Sequence, residues 1–187
     1  MLDNFPAVSM RARRAMPSDA AAIATIARAL QWPGDKPPAS GGFLININSE
    51  QEYREFIREG CPIVVVEDSL HGMWGFLLGF EASYYHQLAP DWATNLEWRD
   101  GSRQQLGDFI LVDQIAVLRT RGRSGVGAAM LRELMRIRPD RPLIAEVLQA
   151  PHENRASLRF FKSHGFYKEA WRVADSLVWS LLFRPVE

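Results

Sequence analysis

Residues 109–130 read FILVDQIAVLRTRGRSGVGAAM. The first ten are an apolar run interrupted by Asp113 and Gln114, the length and composition of a buried strand. Arg119, Arg121 and Arg123 then alternate with Gly122, Gly125 and Gly127, after which GVGAAMLRELMRIR (125–138) has helical spacing. PLIAEVL (142–148) reads as another strand, so the stretch is a βαβ unit with a right-handed crossover and two parallel strands. Glycines at the strand–helix turn let several backbone N–H groups converge at a helix N-terminus, where unpaired donors and the dipole favour an anion. The flanking arginines add formal charge, and a phosphate or pyrophosphate suits such a turn. Taken alone, Gly125 and Gly127 would also serve close helix–sheet packing. A Walker A loop is excluded because no Lys-Ser/Thr follows the glycines, and the third glycine of a dinucleotide fingerprint is absent.

Working outward, VSMRARR (8–14) alternates as a first strand, and Pro17 and Asp19 open a helix over AAAIATIARAL. Its apolar face is expected to carry Ala22, Ile23, Ile26, Ala27 and Leu30. QWPGDKPPASGG is a proline- and glycine-rich loop. Ser49 and Glu52 form a capping-box pattern for a short helix that stops at Gly60. PIVVVED (62–68) and MWGFLLGFEA (73–82) make a hairpin, and the Tyr- and Trp-rich stretch 84–106 reads as a long connection. ENRASLRFFKSHG is a helix ending at Gly165, and FYKEAWRV and SLVWSLLFRPV are two closing strands. The order β-α-α-β-β-β-α-β-α-β-β implies an α/β (α+β) fold, with a mixed sheet of about seven strands flanked by about four helices. One domain over residues 8–187, preceded by an extension (1–7), accounts for the chain.

The chain has 187 residues, enough for one well-formed core. Lys+Arg and Asp+Glu both number 22, so no global field points to nucleic acid or an anionic membrane, and any anion site must be built locally. The single cysteine, Cys61, rules out an internal disulfide, and the four histidines lack metal-ligand spacing, so no metal is expected. No run approaches the roughly 18 apolar residues of a membrane span, and a cytoplasmic location is expected.

Val117-Leu-Arg-Thr-Arg-Gly-Arg-Ser-Gly-Val-Gly127 resembles the acetyl-CoA signature of the GNAT superfamily of N-acetyltransferases, and the stretch from Asn154 to Phe166 (NRASLRFFKSHGF) is similar to its second signature. The resemblance runs from about residue 11 to the end and is sharpest over 109–166. It implies that the pyrophosphate of acetyl-CoA sits on Arg123, Ser124, Gly125, Val126, Gly127 and Ala128. It further implies that the pantetheine arm pairs, as an added strand, with Ile115, Ala116 and Val117. Asn154 matches an asparagine that contacts the cofactor arm; the lesser alternative is that it only caps its helix. Two positions depart from the pattern: Gly122 fills the usual Gln/Arg slot, with Arg121 one place earlier, and Phe161 fills the slot of a tyrosine general acid.

The implied activity is acetyl transfer from acetyl-CoA to a primary amine of a small molecule or peptide by direct attack. Since an amine attacks only as the free base, a carboxylate must lead its proton away. Glu146 matches a glutamate used as base in some relatives, or pairs with a nearby Arg or Lys; Asp113, a carboxylate within an apolar run, is the reserve. Tyr84, Tyr85, His86, Trp92 and Trp98 crowd the stretch 84–106 among Asp91 and Glu97, a mix that suits a cationic amine; Tyr84, Trp92 and Trp98 are the candidates to hold the acceptor, or pack their stretch onto the domain. Phe161 keeps open the alternative of a non-catalytic acyl-CoA-binding module. A homodimer is compatible with these readings; nucleic-acid and membrane partners are not expected.

Overall fold

The computed structural model describes residues 10–32, 34, 42–99, 106–119 and 125–186. In chain order these form β1 (Arg11–Arg14), α1 (Ala20–Leu30), α2 (Glu50–Arg58), β2 (Ile63–Asp68), β3 (Gly72–Glu81), α3 (Ala82–Leu88), β4 (Leu96–Trp98), β5 (Ile110–Val117), α4 (Val126–Ile137), β6 (Leu143–Ala150), α5 (Arg155–Ser163), β7 (Tyr167–Ala174) and β8 (Leu177–Arg184). Short 3-10 turns precede α1 and β4.

Local signals account for the helix boundaries. Ser49 Oγ accepts from the Glu52 N–H at 3.2 Å while the Ser49 N–H donates to the Glu52 carboxylate at 2.6 Å, the reciprocal capping box expected for α2. The α5 helix is capped by Asn154 and ends before Gly165, whose φ of +82° glycine adopts without strain. On α1 the buried face is Ala20, Ile23, Ala24, Ile26, Ala27 and Leu30; Ala22, expected on that face, is exposed.

All eight strands form one mixed sheet in the order β1-β2-β3-β5-β6-β8-β7-β4. The β5–β6 pair is parallel, as the crossover through α4 requires, and the other pairs are antiparallel. The helices α1 and α2 cover one face around Ile23, Tyr53 and Phe76, and α4 and α5 cover the other around Met130, Leu134 and Phe161. A third cluster, with Trp92, Trp98, Phe109 and Ile144, joins the stretch after β3 to the far end of the sheet. The segment expected as a long connection therefore holds α3 and β4, whose Leu96–Trp98 pair with Ala170–Arg172 of β7. Apolar residues at Leu96 and Trp98 bury one face of a three-residue edge strand, too short to show a period in the sequence.

Candidate active site

Two irregularities in β5 open the sheet. Leu78 of β3 faces Gln114 of β5, but the next residue, Gly79, faces Val112, so Asp113 is an extra residue in a β-bulge. The bulge reverses the alternation: Ile110 and Val112 pack toward α4 before it, and Ile115 and Val117 do so after it. The second irregularity is that β5 and β6 pair only from Ile110–Leu143 to Val112–Ala145. Beyond that point each strand keeps only its other neighbour, β3 or β8, and the two diverge.

The gap between them is a cleft of about 130 Å³, lined by Asp113, Gln114 and Ile115 on one side and by Glu146, Val147 and Leu148 on the other. Phe43–Asn46, Asn154 and Phe161 close one end; Tyr85, Arg172 and Trp179 close the opposite wall. A second hollow of about 330 Å³ shares Tyr85 and Arg172 with the cleft and continues to Pro90, Asp91, Trp92 and Asn95.

Asp113 reaches solvent through the cleft but lies at its crowded floor. Loss of hydration, and then the negative charge of Glu146, raise its pKa from the usual carboxylate value to about 7, against a hydrogen bond from Gln114. No cation among the described residues lies within ion-pair distance of it. Glu146 is placed differently. Arg172 holds both its oxygens, Nε to Oε1 at 2.9 Å and Nη2 to Oε2 at 3.1 Å, and the guanidinium lies 5.9 Å from the Trp179 ring centre. Burial opposes the charge on Arg172, but the Glu146 carboxylate outweighs it and holds the guanidinium pKa above its ordinary value. Gln114 is itself held in place, accepting from Tyr53 Oη at 2.7 Å and donating to the Asn46 carbonyl at 3.3 Å.

At the other end of β5, Gly125 has φ +79° and begins α4, with no atom of another described residue within 4 Å of the place a Cβ would take. Its positive φ is one that glycine adopts without strain. Gly127 differs, since a Cβ there would lie 2.9 Å from the Phe160 ring. It is the glycine that lets α4 approach α5. Gly127→Val is expected to cost roughly 1–3 kcal/mol through overpacking, read as a lower midpoint in urea unfolding; a variant as stable as the parent would show that the ring swings aside freely. Val126 is buried beneath the helix start and Ala128 is half-buried on its first turn. Arg121, Arg123 and Ser124 lie outside the described residues.

Of the remaining site residues expected from sequence, Ile115 lines the cleft, while Ala116 and Val117 continue β5 toward α4. The Asn154 amide is engaged within the fold: Oδ1 accepts from the Ser157 N–H at 3.2 Å and Nδ2 donates to the Phe43 carbonyl at 3.0 Å. It ties the 43–46 wall to α5. Phe161 is buried on the cleft wall, 4.9 Å from the Phe166 ring centre. Tyr84, expected near the acceptor, lines neither hollow; it hydrogen-bonds Glu59 and stacks on Phe80. Trp98 is buried in β4 and lines neither hollow, whereas Trp92 forms a wall of the second one. Sequence reasoning passed over Arg172 and left Tyr85 as one of several aromatics crowding the stretch after β3. The α3 helix is what separates Tyr85 from Tyr84, because adjacent helical residues point in directions about 100° apart. Arg172 was foreshadowed only as an unnamed partner of Glu146.

No protein-family model matches the sequence, and no curated protein matches it. Solved structures do. Ard1 from Thermoplasma volcanium is 20% identical with a TM-score of 0.65, covering 96% of this chain and 99% of that one. A GNAT-family acetyltransferase from Bacillus cereus is 14% identical with a TM-score of 0.62, covering 96% and 99%. Arabidopsis thaliana NAA60, solved with acetyl-CoA, is 15% identical with a TM-score of 0.64, covering 95% and 100%. The chain thus has the fold of the GNAT acetyltransferases over nearly its whole length.

Proposed function

We propose that the protein is an acetyl-CoA-dependent N-acetyltransferase acting on a primary amine. The observation that carries this reading is the divergence of β5 from β6, which leaves the β5 main chain beyond Val112 with one side open to a cleft that has a titratable carboxylate at its floor. An extended pantetheine arm can add to that side as a strand would, by main-chain hydrogen bonds. The helix start at Gly125, with its unpaired N–H groups, then suits its phosphates. The fold shared with an acetyltransferase solved with acetyl-CoA supports the same placement.

Acetyl-CoA supplies the acyl group as a thioester. Asp113, unpaired and with a pKa of about 7, is the group suited to take the proton of the amine near neutral pH. Glu146 has both oxygens engaged by Arg172 and shapes the field around Asp113. The shared hollow beside Tyr85, Asp91 and Trp92 receives the rest of the acceptor.

Saturating acetyl-CoA, at about 100 times its Kd, is expected to stabilise the protein by about 2.7 kcal/mol. That corresponds to a Tm rise of roughly 5–10 °C for a chain of this length, while duplex DNA leaves Tm unchanged. Release of free thiol on adding a panel of primary amines then tests turnover. No shift with acetyl-CoA would sink the reading, and binding without turnover on any amine would leave an acyl-CoA-binding module.

A further inference from the structure

We infer that Tyr85 is the proton donor to the departing sulfur, delivered from the acceptor wall of the cleft opposite Phe161. This rests on the acetyltransferase reading above and assigns a residue within it. Tyr85 lines both the cleft and the second hollow, so it stands where the reacting ends of donor and acceptor must meet. Its ring is fixed on two sides, by Phe80 at 6.0 Å in a stacked arrangement and by Trp92 at 5.4 Å edge-on. With the ring held, the hydroxyl has little freedom in where it points, yet it makes no hydrogen bond to any described residue. The phenol is only half-buried and lines the cleft, where an arriving ligand would displace water and take up its hydrogen bond.

Three charged groups face this phenol: Asp113 from β5, Glu146 from β6 and Arg172 from β7. Burial first, then the two carboxylates, raise its pKa above the ordinary phenol value, with Arg172 opposing. It therefore keeps its proton across the working pH range and can only donate. Phe161, on the facing wall, has no proton to give.

The proton balance closes within the cleft. The amine enters as the free base, its ammonium proton having gone to bulk water; its nitrogen forms the new bond to the carbonyl carbon, and the one proton it then sheds goes to Asp113. As the carbon–sulfur bond breaks, the sulfur takes the Tyr85 proton, and the phenolate recovers one from the Asp113 carboxylic acid, directly or through one water. The products are the amide and the free thiol, and both side chains return to their starting states. A thiol of pKa about 8.5 is more acidic than the phenol, so the two transfers to and from Tyr85 must be concerted.

Tyr85→Phe keeps the ring and its packing and removes only the hydroxyl. Steady-state rates are measured between pH 5.5 and 9, with acetyl-CoA affinity and Tm as controls. The expected result is a kcat plateau lowered roughly 10²-fold, an acid limb at the same pH as in the parent, and unchanged acetyl-CoA affinity. An unchanged kcat, a raised acceptor KM with kcat intact, or a displaced acid limb with the plateau preserved would overturn the donor role while leaving the transferase reading standing. A parent protein that binds acetyl-CoA yet frees no thiol with any amine would remove both.

Discussion

Asp113→Asn is expected to lower kcat by about 10²–10³-fold, within the range for a lost general base, and to abolish the acid limb of the pH–rate profile. In the parent the rate should rise as the carboxyl loses its proton near pH 7, the value to which burial and Glu146 carry it. The asparagine amide keeps the shape and the hydrogen bond from Gln114 but cannot accept a proton. The same variant carries a stability signature of known sign. Asp113 is protonated more readily in the folded than in the unfolded chain, so its contribution is fully present below the unfolded pKa of about 3.9. That contribution is lost as pH rises through about 7. Above pH 7 the parent holds an unpaired carboxylate at the cleft floor, and the variant does not. Tm of Asp113→Asn minus that of the parent should therefore grow between pH 4 and 8. A difference that stays flat with pH, together with a retained acid limb, would show that Asp113 titrates as an ordinary surface carboxylate and takes no part in the reaction.

The local signals that made the fold legible were strong because they are short-range. The apolar run at 109–118, the glycine-bearing turn and the spacing of α4 identify the central βαβ unit, and Ser49 with Glu52 marks the start of α2. What remained hidden depends on relations between distant segments. The bulge at Asp113 exists only relative to β3: one strand read alone shows an odd carboxylate, not an extra residue. The divergence of β5 and β6 is likewise a property of the pair. β4 is held by pairing to β7, where Leu96 meets Arg172 and Trp98 meets Ala170, far along the chain, and has too few residues for a period. Tyr84 and Tyr85 are indistinguishable in a segment read as loop; α3 turns one toward Glu59 and the other into the cleft. Gly125 and Gly127 look alike in sequence, and only packing separates a glycine required for its φ from one required for the Phe160 ring.

Glu146→Gln separates the two carboxylates that sequence alone left as rival bases. Its first effect is on stability. Arg172 and Glu146 side chains are 17% and 12% exposed, so the pair is largely withdrawn from water, and removing one charge leaves the other poorly solvated. The amide oxygen of glutamine still accepts one guanidinium hydrogen bond, so the cost should fall at the low end of the range for broken buried pairs, about 3 kcal/mol. For a chain of this length that is a Tm lower by roughly 6–12 °C. Its second effect is on the acid limb. Glu146 is the charge that helps raise Asp113, and losing it also exposes Asp113 to an uncompensated Arg172. Both changes favour the Asp113 carboxylate, so the limb moves to lower pH and the rate at pH 6 rises relative to the plateau. A general base behaves otherwise: if Glu146 takes the proton of the amine, Glu146→Gln removes the limb and Asp113→Asn leaves it in place. Rates of the two variants over pH 5.5–9, measured well below the lowered Tm, give opposite patterns for the two assignments, and the pattern with the limb lost in Glu146→Gln would transfer the proton-accepting role from β5 to β6.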